Sequence, residues 1–304
     1  MQEFIHGKIK VQKSPIEEPE TGESKKWQEA NKEWWQKNPM RYDWKEKINA
    51  NPGSAEYFCE IDKRFFDSAQ KYLPQKNKPF DKILDYEFLK NKNVLEIGVG
   101  HGSHAELIAT NCLTYTGIDL TEAAVQMTKQ RMEIKKIESS IFQMDAEKMD
   151  FKDASFDFIW SWGVIHHSAN TSSVLKEMHR VLKPGGRAIV MIYYRSFWKY
   201  YIEVFLVRGL LLGQLRKAGL SEILNNSTDG AIARFYTVPE WRRLTSSVFK
   251  CINIFICGQK TDLLLVPGGK FKQLLLNLIP DGLARFFTNA LKFGTFLVVD
   301  MEKI

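Results

Sequence analysis

Three glycines directly follow a short apolar run in the stretch Val94-Leu95-Glu96-Ile97-Gly98-Val99-Gly100-His101-Gly102. The apolar run predicts a strand, and a helical pattern at residues 104–109 comes directly after the glycines. Because glycine has no Cβ atom, its backbone can approach a ligand closely and adopt positive φ angles. A glycine loop between a strand and a helix suits a cofactor such as NAD, FAD or S-adenosylmethionine, and the loop alone does not distinguish these three.

Two carboxylates end the next two predicted strands and narrow the choice of cofactor. Asp119 ends the strand predicted at residues 114–118, where a carboxylate can accept hydrogen bonds from both hydroxyls of a ribose. Asp145 ends the strand predicted at 140–144, and its position suits the exocyclic amine of an adenine. A helix, the sequence Leu-Lys-Pro-Gly-Gly at 182–186 and a fifth strand follow. This order differs from the pattern of nicotinamide-binding domains.

The elements that would position these residues alternate between strand and helix. Strands are predicted at 93–97, 114–118, 140–144, 156–160 and 187–193, and helices at 104–109, 122–135 and 172–182. Strands that alternate with helices at this spacing form βαβ units, so the fold class is α/β with a parallel, doubly wound sheet. Later in the chain, apolar helices are predicted at 197–224, 238–248 and 263–279, and strands at 251–257 and 294–299.

The regions that flank this core divide the chain into three parts. Residues 1–23 are polar and contain Pro15, Pro19 and Gly22, which predicts a loose N-terminal arm. Residues 24–92 are predicted to form a helical extension, or cap, whose first helix stops near Asn38 because Pro39 disfavours helix at that position. Residues 93–304 are predicted to form one domain with helical insertions at about 195–247 and 260–290.

Residues 93–193 resemble the class I S-adenosylmethionine-dependent methyltransferases, specifically the UbiE-like or type 11 group. The resemblance lies in five motifs in order, LEIGVGHG, TGIDL, QMDAE, FDFIWSWGVIHH and HRVLKPGGRAIV. It implies a Rossmann-like sheet of seven strands whose last strand is antiparallel, an S-adenosyl-L-methionine cofactor and S-adenosyl-L-homocysteine as product. It also implies which residues bind the cofactor: Glu96, Gly98, Val99, Gly100, Gly102, Asp119, Leu120, Asp145, Ala146, Ser161 and Trp162.

The resemblance says less about the methyl acceptor, for which the sequence offers several candidates. His166, His167 and Tyr194 are candidates for a catalytic base or an acceptor-orienting hydroxyl, although packing in the core is the alternative interpretation for each. The candidate acceptor-binding residues are Tyr42, Tyr193, Arg234 and Tyr236. Arginine commonly pairs with a carboxylate or phosphate, so Arg234 is expected to contact an acidic group of the acceptor.

Composition limits the possible function classes. The chain has 304 residues and a net charge of +7, and residues 191–304 hold 15 basic and 8 acidic side chains. A small, lipophilic acceptor is the leading hypothesis, because apolar residues dominate the insertion at 195–247. An RNA or protein methyltransferase that uses the basic final third is an alternative, but the [DN]-P-P-[YF] tetrapeptide is absent from the sequence. A non-catalytic scaffold that binds a membrane peripherally is the third possibility.

Cysteine usage and the N-terminal sequence predict a cytoplasmic protein. The four cysteines form no CxxC pair, which excludes a zinc ribbon and favours reduced, buried thiols. The first twenty residues lack the apolar segment of a signal peptide. No metal is expected, and the oligomeric state is open.

Overall fold

The fold is centred on a mostly parallel β-sheet, seen here in a computed structural model that describes residues 8–9, 19, 21–42, 46–265 and 269–304. Its strand order is β3-β2-β1-β4-β5-β8-β7, and β8 runs antiparallel to β5 and β7. A short strand, β6, pairs parallel with the end of β5. The prediction of a doubly wound sheet with an antiparallel last strand is confirmed. The strands are β1 Asn93–Ile97, β2 Thr114–Asp119, β3 Ser140–Gln143, β4 Phe156–Trp162, β5 Leu182–Tyr194, β6 Phe235–Tyr236, β7 Phe249–Cys257 and β8 Phe296–Lys303.

Helices cover both faces of the sheet and the edge where its parallel strands end. They are α1 Thr21–Lys37, α2 Ala55–Tyr72, α3 Tyr86–Leu89, α4 Ser103–Ala109, α5 Glu122–Lys135, α6 Thr171–Val181, α7 Leu220–Asn225, α8 Val238–Thr245, α9 Lys270–Leu278 and α10 Asp281–Arg285. A long π-helix spans Trp198–Leu211 and a shorter one spans Phe286–Ala290. Within the described ranges, no helix has the length and apolarity that crossing a bilayer requires.

The hydrophobic core lies in two layers, because successive residues of a strand face opposite sides of the sheet. Val94 and Trp160 pack on one face, beneath the N-terminal helices and α4. Their neighbours Leu95 and Ile159 pack on the other face, with α6 and α8. Several helices, α2, α3, α5, α6 and α8, are also held at their start by a side-chain cap. The side chain of Thr121, for example, accepts a hydrogen bond from the backbone N–H of Ala124 at the start of α5.

The N-terminal extension packs against the sheet through one face of α2. Phe58, Ile61 and Phe65 recur at helical spacing and are all buried. The ring of Phe65 lies 5.0 Å from that of His104 on α4, which fixes α2 across the start of α4. Helix α1 ends at Lys37, directly before Asn38-Pro39, so the predicted stop of this helix is confirmed.

The predicted loose arm at 1–23 lies largely outside the described residues, and those that are described are held in place. Lys8 donates to the backbone carbonyl of Thr228 at 2.6 Å, and the N–H of Ile9 donates to Ala231 at 3.1 Å. Thr21 begins α1. The description of the arm as loose therefore does not hold for residues 8–9 and 21–23.

Several predicted elements have different limits in the structure. β5 begins at Leu182 and not at 187, because Leu182 pairs with Phe156 before a register shift. The apolar stretch 197–224, predicted as one or two helices, forms the long π-helix and α7, whereas 263–279 forms α-helix only from Lys270 to Leu278. β6 was not predicted, since two residues are too few for a periodic pattern. Of the four cysteines only Cys257 is buried, and Cys59 is exposed.

Candidate functional site

The glycine loop turns over the carboxyl end of the sheet between β1 and α4. The N–H of Gly98 donates to the carbonyl of Ile118 at 2.8 Å. Gly98 has a φ of +85°, and a Cβ atom here would lie 2.2 Å from Val164 Cγ2, so its role is close packing. Gly100 has a φ of +53° and lines the cavity, and a Cβ atom here would meet no protein atom within 4 Å. The backbone at Gly100 is therefore the part of the loop that a ligand can approach.

Asp119 lies at the end of β2, beside this loop. Its Oδ2 accepts the N–H of Gly100 at 3.2 Å, and its Oδ1 accepts the N–H and the hydroxyl of Thr121 at 2.9 and 2.8 Å. Burial raises the pKa of the carboxyl above its usual value, against the lowering effect of these hydrogen bonds. The carboxylate thus has a fixed orientation, and both it and Leu120 line the cavity.

Glu96 is a buried carboxyl on the cavity wall, one residue before the end of β1. Its Oε2 accepts a hydrogen bond from the Tyr115 hydroxyl at 2.6 Å, and Glu96 is 1% exposed. Burial raises the pKa of Glu96 to about 8, even though the hydrogen bond from Tyr115 lowers it. A carboxyl in this position is poised to become ionised when a cation binds next to it.

Asp145 connects the sheet to the N-terminal extension. Its Oδ1 accepts the side-chain amide of Gln28, on α1, at 2.8 Å, and the N–H of Glu147 at 2.9 Å. The amide oxygen of Gln28 accepts the N–H of Ala169 at 3.0 Å. Gln28 therefore lies between the loops that follow β3 and β4, and it lines the cavity together with Asp145 and Ala146. Sequence reasoning missed Gln28, because a glutamine on a polar helix is indistinguishable from a solvated one.

These residues line one end of a single cavity of about 910 Å³. The other end combines aromatic and apolar side chains with charged and polar ones such as Lys199, Asp229 and Asp262. Tyr42 packs against Phe65 with ring centroids 5.2 Å apart, and burial raises the pKa of the Tyr42 phenol. The cavity is large enough for a drug-sized ligand with room to spare, since most ligand pockets measure roughly 300–1,000 Å³. The aromatic and apolar residues at this end are Tyr42, Phe65, Tyr72, Trp162, Met191, Tyr193, Phe235, Leu276 and Phe296.

His167 and Tyr193 lie in the cavity wall and contact each other. The Nδ1 of His167 is 2.5 Å from the carbonyl of Ile232, so Nδ1 carries the proton and Nε2 is the acceptor nitrogen. Burial lowers the pKa of His167 to about 4, so its ring is neutral near pH 7. The Tyr193 ring lies 5.5 Å from that of His167 and 5.0 Å from that of Phe235.

Several charged side chains of the cavity were not predicted from the sequence, Asp262 and Lys199 among them. Asp262 Oδ2 accepts the N–H and hydroxyl of Thr295 at 3.2 and 2.9 Å, and burial raises the pKa of Asp262 to about 6. Lys199, on the long π-helix, is held by Glu203 at 3.0 Å. Both lie in segments without a motif, so the sequence offered no signal for them.

The rim of the cavity is closed where the N-terminal extension meets the C-terminal helices. The side-chain amide of Asn289 donates to the carbonyl of Tyr72 at 2.9 Å, and Arg285 donates to the carbonyl of Lys71 at 3.1 Å. Tyr72 and Lys71 both line the cavity. The end of α2 is thereby fixed to the segment that follows α10.

Arg234 and Tyr236 do not lie in the cavity, which corrects their prediction as acceptor-binding residues. Arg234 is 3% exposed, and its guanidinium donates to the carbonyls of Ser168 and Ala169. The Tyr236 hydroxyl donates to Thr171 Oγ1 at 2.9 Å in the core. Both side chains point away because backbone pairing of this segment with β5 and with the loop at 165–169 turns them toward α1 and α6.

Four other candidates also lie outside the cavity. Gly102 begins α4 with a φ of +79°, and a Cβ atom here would lie 3.0 Å from Arg131 Cδ. Ser161 is buried and donates to the carbonyl of Ile97 at 3.2 Å. Tyr194 packs with the opposite face of the sheet, because it alternates with Tyr193 along β5. His166 is completely buried beneath Tyr193, with ring centroids 4.0 Å apart.

Residues 95–190 match the family described as "Methyltransferase domain". The chain is 34% identical over 97 residues to the 27-O-demethylrifamycin SV methyltransferase of Amycolatopsis mediterranei, covering 31% of this chain and 36% of that protein. It is 34% identical over 100 residues to the phthiotriol/phenolphthiotriol dimycocerosates methyltransferase 1 of Mycobacterium ulcerans, covering 32% and 36%. The chain thus spans about a third of the length of these relatives.

A solved structure with a similar fold is a SAM-dependent methyltransferase from Aquifex aeolicus. The likeness covers 81% of this chain and 98% of that one, with 14% identity and a TM-score of 0.47. Sequence motifs, sheet topology and the family match agree. The chain contains a class I S-adenosylmethionine-dependent methyltransferase domain.

The residues at the glycine-loop end fit S-adenosylmethionine, which is the expected cofactor. The open space at Gly100 leaves room for the amino-acid part of the cofactor, and the buried Glu96 carboxyl matches its ammonium group. Asp119 lies where ribose hydroxyls can donate to a carboxylate. Asp145 and Ala146 line the same part of the cavity.

Proposed function

We propose that this protein transfers a methyl group from S-adenosylmethionine to a hydroxyl group of a small, lipophilic molecule. The observation that carries the proposal is the single cavity of about 910 Å³, which joins the carboxylates Glu96, Asp119 and Asp145 to an aromatic-lined end. A cavity with two chemically different ends can hold a polar cofactor and an apolar acceptor side by side. Alignment of the two reactants would supply much of the catalysis.

The bound cofactor would supply an electrophilic methyl group on a sulfonium and leave as a neutral thioether. This chain's own residues would then bind, orient and exclude water. Phe65, Met191, Phe235 and Phe296 would desolvate the acceptor, and the phenols of Tyr42 and Tyr193 would orient its hydroxyl. His167 would accept the hydroxyl proton at Nε2, because Nδ1–H is directed at the Ile232 carbonyl.

Two features support assigning acceptor recognition to the parts outside the family match. The predicted cap at 24–92 contributes Tyr42 and Phe65, and the segments at about 195–247 and 260–290 contribute Lys199, Phe235 and Leu276. The expectation of an acidic acceptor came from the basic excess of the final third, with Arg234 as the likeliest partner, and backbone carbonyls engage Arg234. We therefore propose an uncharged acceptor with an apolar body and one reactive hydroxyl.

The curated relatives are compatible with this class of acceptor. Two of them, the 27-O-demethylrifamycin SV methyltransferase and the phthiotriol/phenolphthiotriol dimycocerosates methyltransferase 1, are named for small-molecule acceptors. A third relative, the phosphoethanolamine N-methyltransferase 2 of Caenorhabditis elegans, is 26% identical over 159 residues. Its name gives a polar amine as the acceptor. These matches cover about a third of each relative, so the proposed acceptor class is argued from the cavity of this protein.

The test combines calorimetry with a methyl-transfer assay. We expect the protein to bind S-adenosylmethionine and S-adenosylhomocysteine, and to transfer the radiolabelled methyl group to apolar phenols or alcohols in preference to amines, peptides or bulk tRNA. Absence of cofactor binding by folded protein would refute the methyltransferase assignment. Binding of the cofactor with transfer only to tRNA or to peptides would refute the acceptor class alone.

A further inference from the structure

Exposed apolar side chains are concentrated in two segments beside the cavity. Among the described residues, 18 large hydrophobic side chains are exposed, and 13 of them lie at 197–212 and 271–291. These segments contain the long π-helix and helices α9 and α10. Phe271, Leu274 and Leu278 recur at helical spacing on one side of α9 and are 59–71% exposed. Apolar side chains grouped in this way mark an interaction surface.

The two segments lie next to each other. The indole N–H of Trp198, at the start of the long π-helix, donates to the Asp262 carbonyl at 3.0 Å, and its ring stacks on Phe293 at 5.2 Å. The charge of Glu203, on the same helix, raises the pKa of Lys272 on α9, although burial lowers that pKa overall. We call these two helical segments together the apolar basic surface.

The apolar basic surface carries excess positive charge. Residues 197–212 and 271–291 contain four basic and two acidic side chains, and four further basic side chains, Arg216, Lys217, Lys270 and Lys292, directly flank the two segments. Both acidic side chains are engaged within the protein, since Glu203 pairs with Lys199 and Arg208 at 3.0 Å, and Asp281 pairs with Lys260 at 2.5 Å. The exposed basic side chains around the apolar ones include Arg216, Lys217, Lys270 and Lys292. A second copy of this surface would bring like charges together, whereas an anionic lipid bilayer complements both its charge and its apolar side chains.

We propose that the apolar basic surface docks the protein onto an anionic lipid bilayer. The helices would lie in the plane of the interface, with Phe271, Leu274 and Leu211 inserted among the lipids and the lysines and arginines at the headgroups. The opposite sides of the same elements line the cavity through Lys199, Gln273 and Leu276. Docking would therefore place the aromatic end of the cavity beside the membrane, where lipophilic molecules are concentrated.

The experiment is vesicle flotation of the full chain, with vesicles of phosphatidylcholine alone and of phosphatidylcholine with about one third phosphatidylserine. We expect binding to the anionic vesicles that weakens at high salt, because surface charges are screened. The double variant Leu211→Ser/Leu274→Ser should lower the partition coefficient at least about tenfold, since two apolar side chains no longer enter the lipid. The control is Leu113→Ser, because Leu113 is 63% exposed, comparable to Leu211 at 72%, and lies outside the surface.

A second variant and two further measurements keep the outcomes distinct. Lys217→Glu/Lys270→Glu should remove the preference for anionic vesicles while the apolar side chains remain. Affinity for S-adenosylmethionine should stay unchanged in all these variants, so a failure of docking leaves the proposed function untouched. No binding to anionic vesicles by folded protein, or equal loss in Leu113→Ser, would overturn the proposal. So would a dimer in sedimentation analysis that dissociates in Leu211→Ser/Leu274→Ser.

Discussion

Cofactor affinity should depend on pH through Glu96, whose buried carboxyl has a pKa of about 8 in the cofactor-free protein. Near pH 7 about nine in ten molecules would then carry the protonated carboxyl. Ionising Glu96 would cost about 1.4 kcal/mol at pH 7 and about 2.7 kcal/mol at pH 6. The ammonium group of S-adenosylmethionine favours the ionised carboxylate, so binding would release a proton. The sign follows directly: affinity rises with pH below 8 and levels off above it.

The expected magnitude is close to a tenfold lower Kd for each pH unit between 6 and 7.5. The comparison ends at pH 7.5 because the α-amino group of the ligand itself begins to lose its proton near pH 8. Titration calorimetry in two buffers with different ionisation enthalpies measures the released proton separately from the affinity. We expect nearly one proton released at pH 6.5.

Two variants test whether Glu96 is the group that titrates. Glu96→Gln should have nearly the same affinity as the unaltered protein at pH 6 and fall progressively behind it up to pH 7.5, with a flat pH profile. Tyr115→Phe removes the 2.6 Å hydrogen bond that lowers the pKa of Glu96, and should move the rising part of the profile upward by about one to two pH units. A flat profile in the unaltered protein, or an unchanged slope in Glu96→Gln, would refute the reasoning.

Three further predictions concern Asp119, His167 and Arg234. Asp119→Ala should weaken cofactor binding by about 1–3 kcal/mol, because the ribose hydroxyls lose a charged acceptor. Gly100→Val should abolish cofactor binding in a protein that still melts cooperatively. Calorimetry that shows unchanged cofactor affinity in both variants would place the ligand elsewhere. With cofactor saturating, kcat should stay constant from pH 6 to 8, because the pKa of His167 is about 4. His167→Gln should lower kcat by about 10²–10⁴ without changing the Kd of the cofactor. An unchanged kcat in this variant would show that His167 takes no part in proton transfer. Arg234→Ala should reduce the free energy of unfolding by about 2–4 kcal/mol in a denaturant titration, since two buried carbonyls lose their hydrogen-bond donor. The KM for the acceptor should stay unchanged. Unaltered stability together with a raised KM would instead assign Arg234 to the acceptor site.

The cofactor half of the protein was predictable because its signals are local. β1 and α5 have the predicted limits, Asn93–Ile97 and Glu122–Lys135, since β1 is a short buried run directly before the glycines and α5 begins at the Thr121 cap. Gly100, Asp119 and Asp145 follow strands that lie side by side, and the carboxyl ends of neighbouring parallel strands meet at one edge. Knowledge of the strand order was therefore enough to bring these residues together.

The acceptor half was less predictable because its contacts join distant parts of the chain. Arg234 reads as an accessible arginine in a polar loop, yet it donates to Ser168 and Ala169, 66 and 65 residues earlier. Gln28 meets Asp145 across 117 residues, and no local pattern marks it. Side chains in such contacts can be assigned to core or cavity only after the packing of the helices is known.

The same contacts indicate how acceptor recognition and cofactor binding can be coupled. Gln28 holds α1 against the two loops that follow β3 and β4, while Asn289 and Arg285 hold the end of α2 against the C-terminal helices. The cap is thus fixed at one end by a residue that also contacts Asp145, on the cofactor side. At its other end it is fixed by the helices that line the acceptor side and present the apolar basic surface outward. Because α2 also packs through Phe58, Ile61 and Phe65, the cap as a whole stays in place, whereas the one or two hydrogen bonds at each fixation can open locally at modest cost. Contact of a bulky acceptor with these residues can therefore shift the local hydrogen bonds of the cap and of the C-terminal helices, while the sheet stays unchanged.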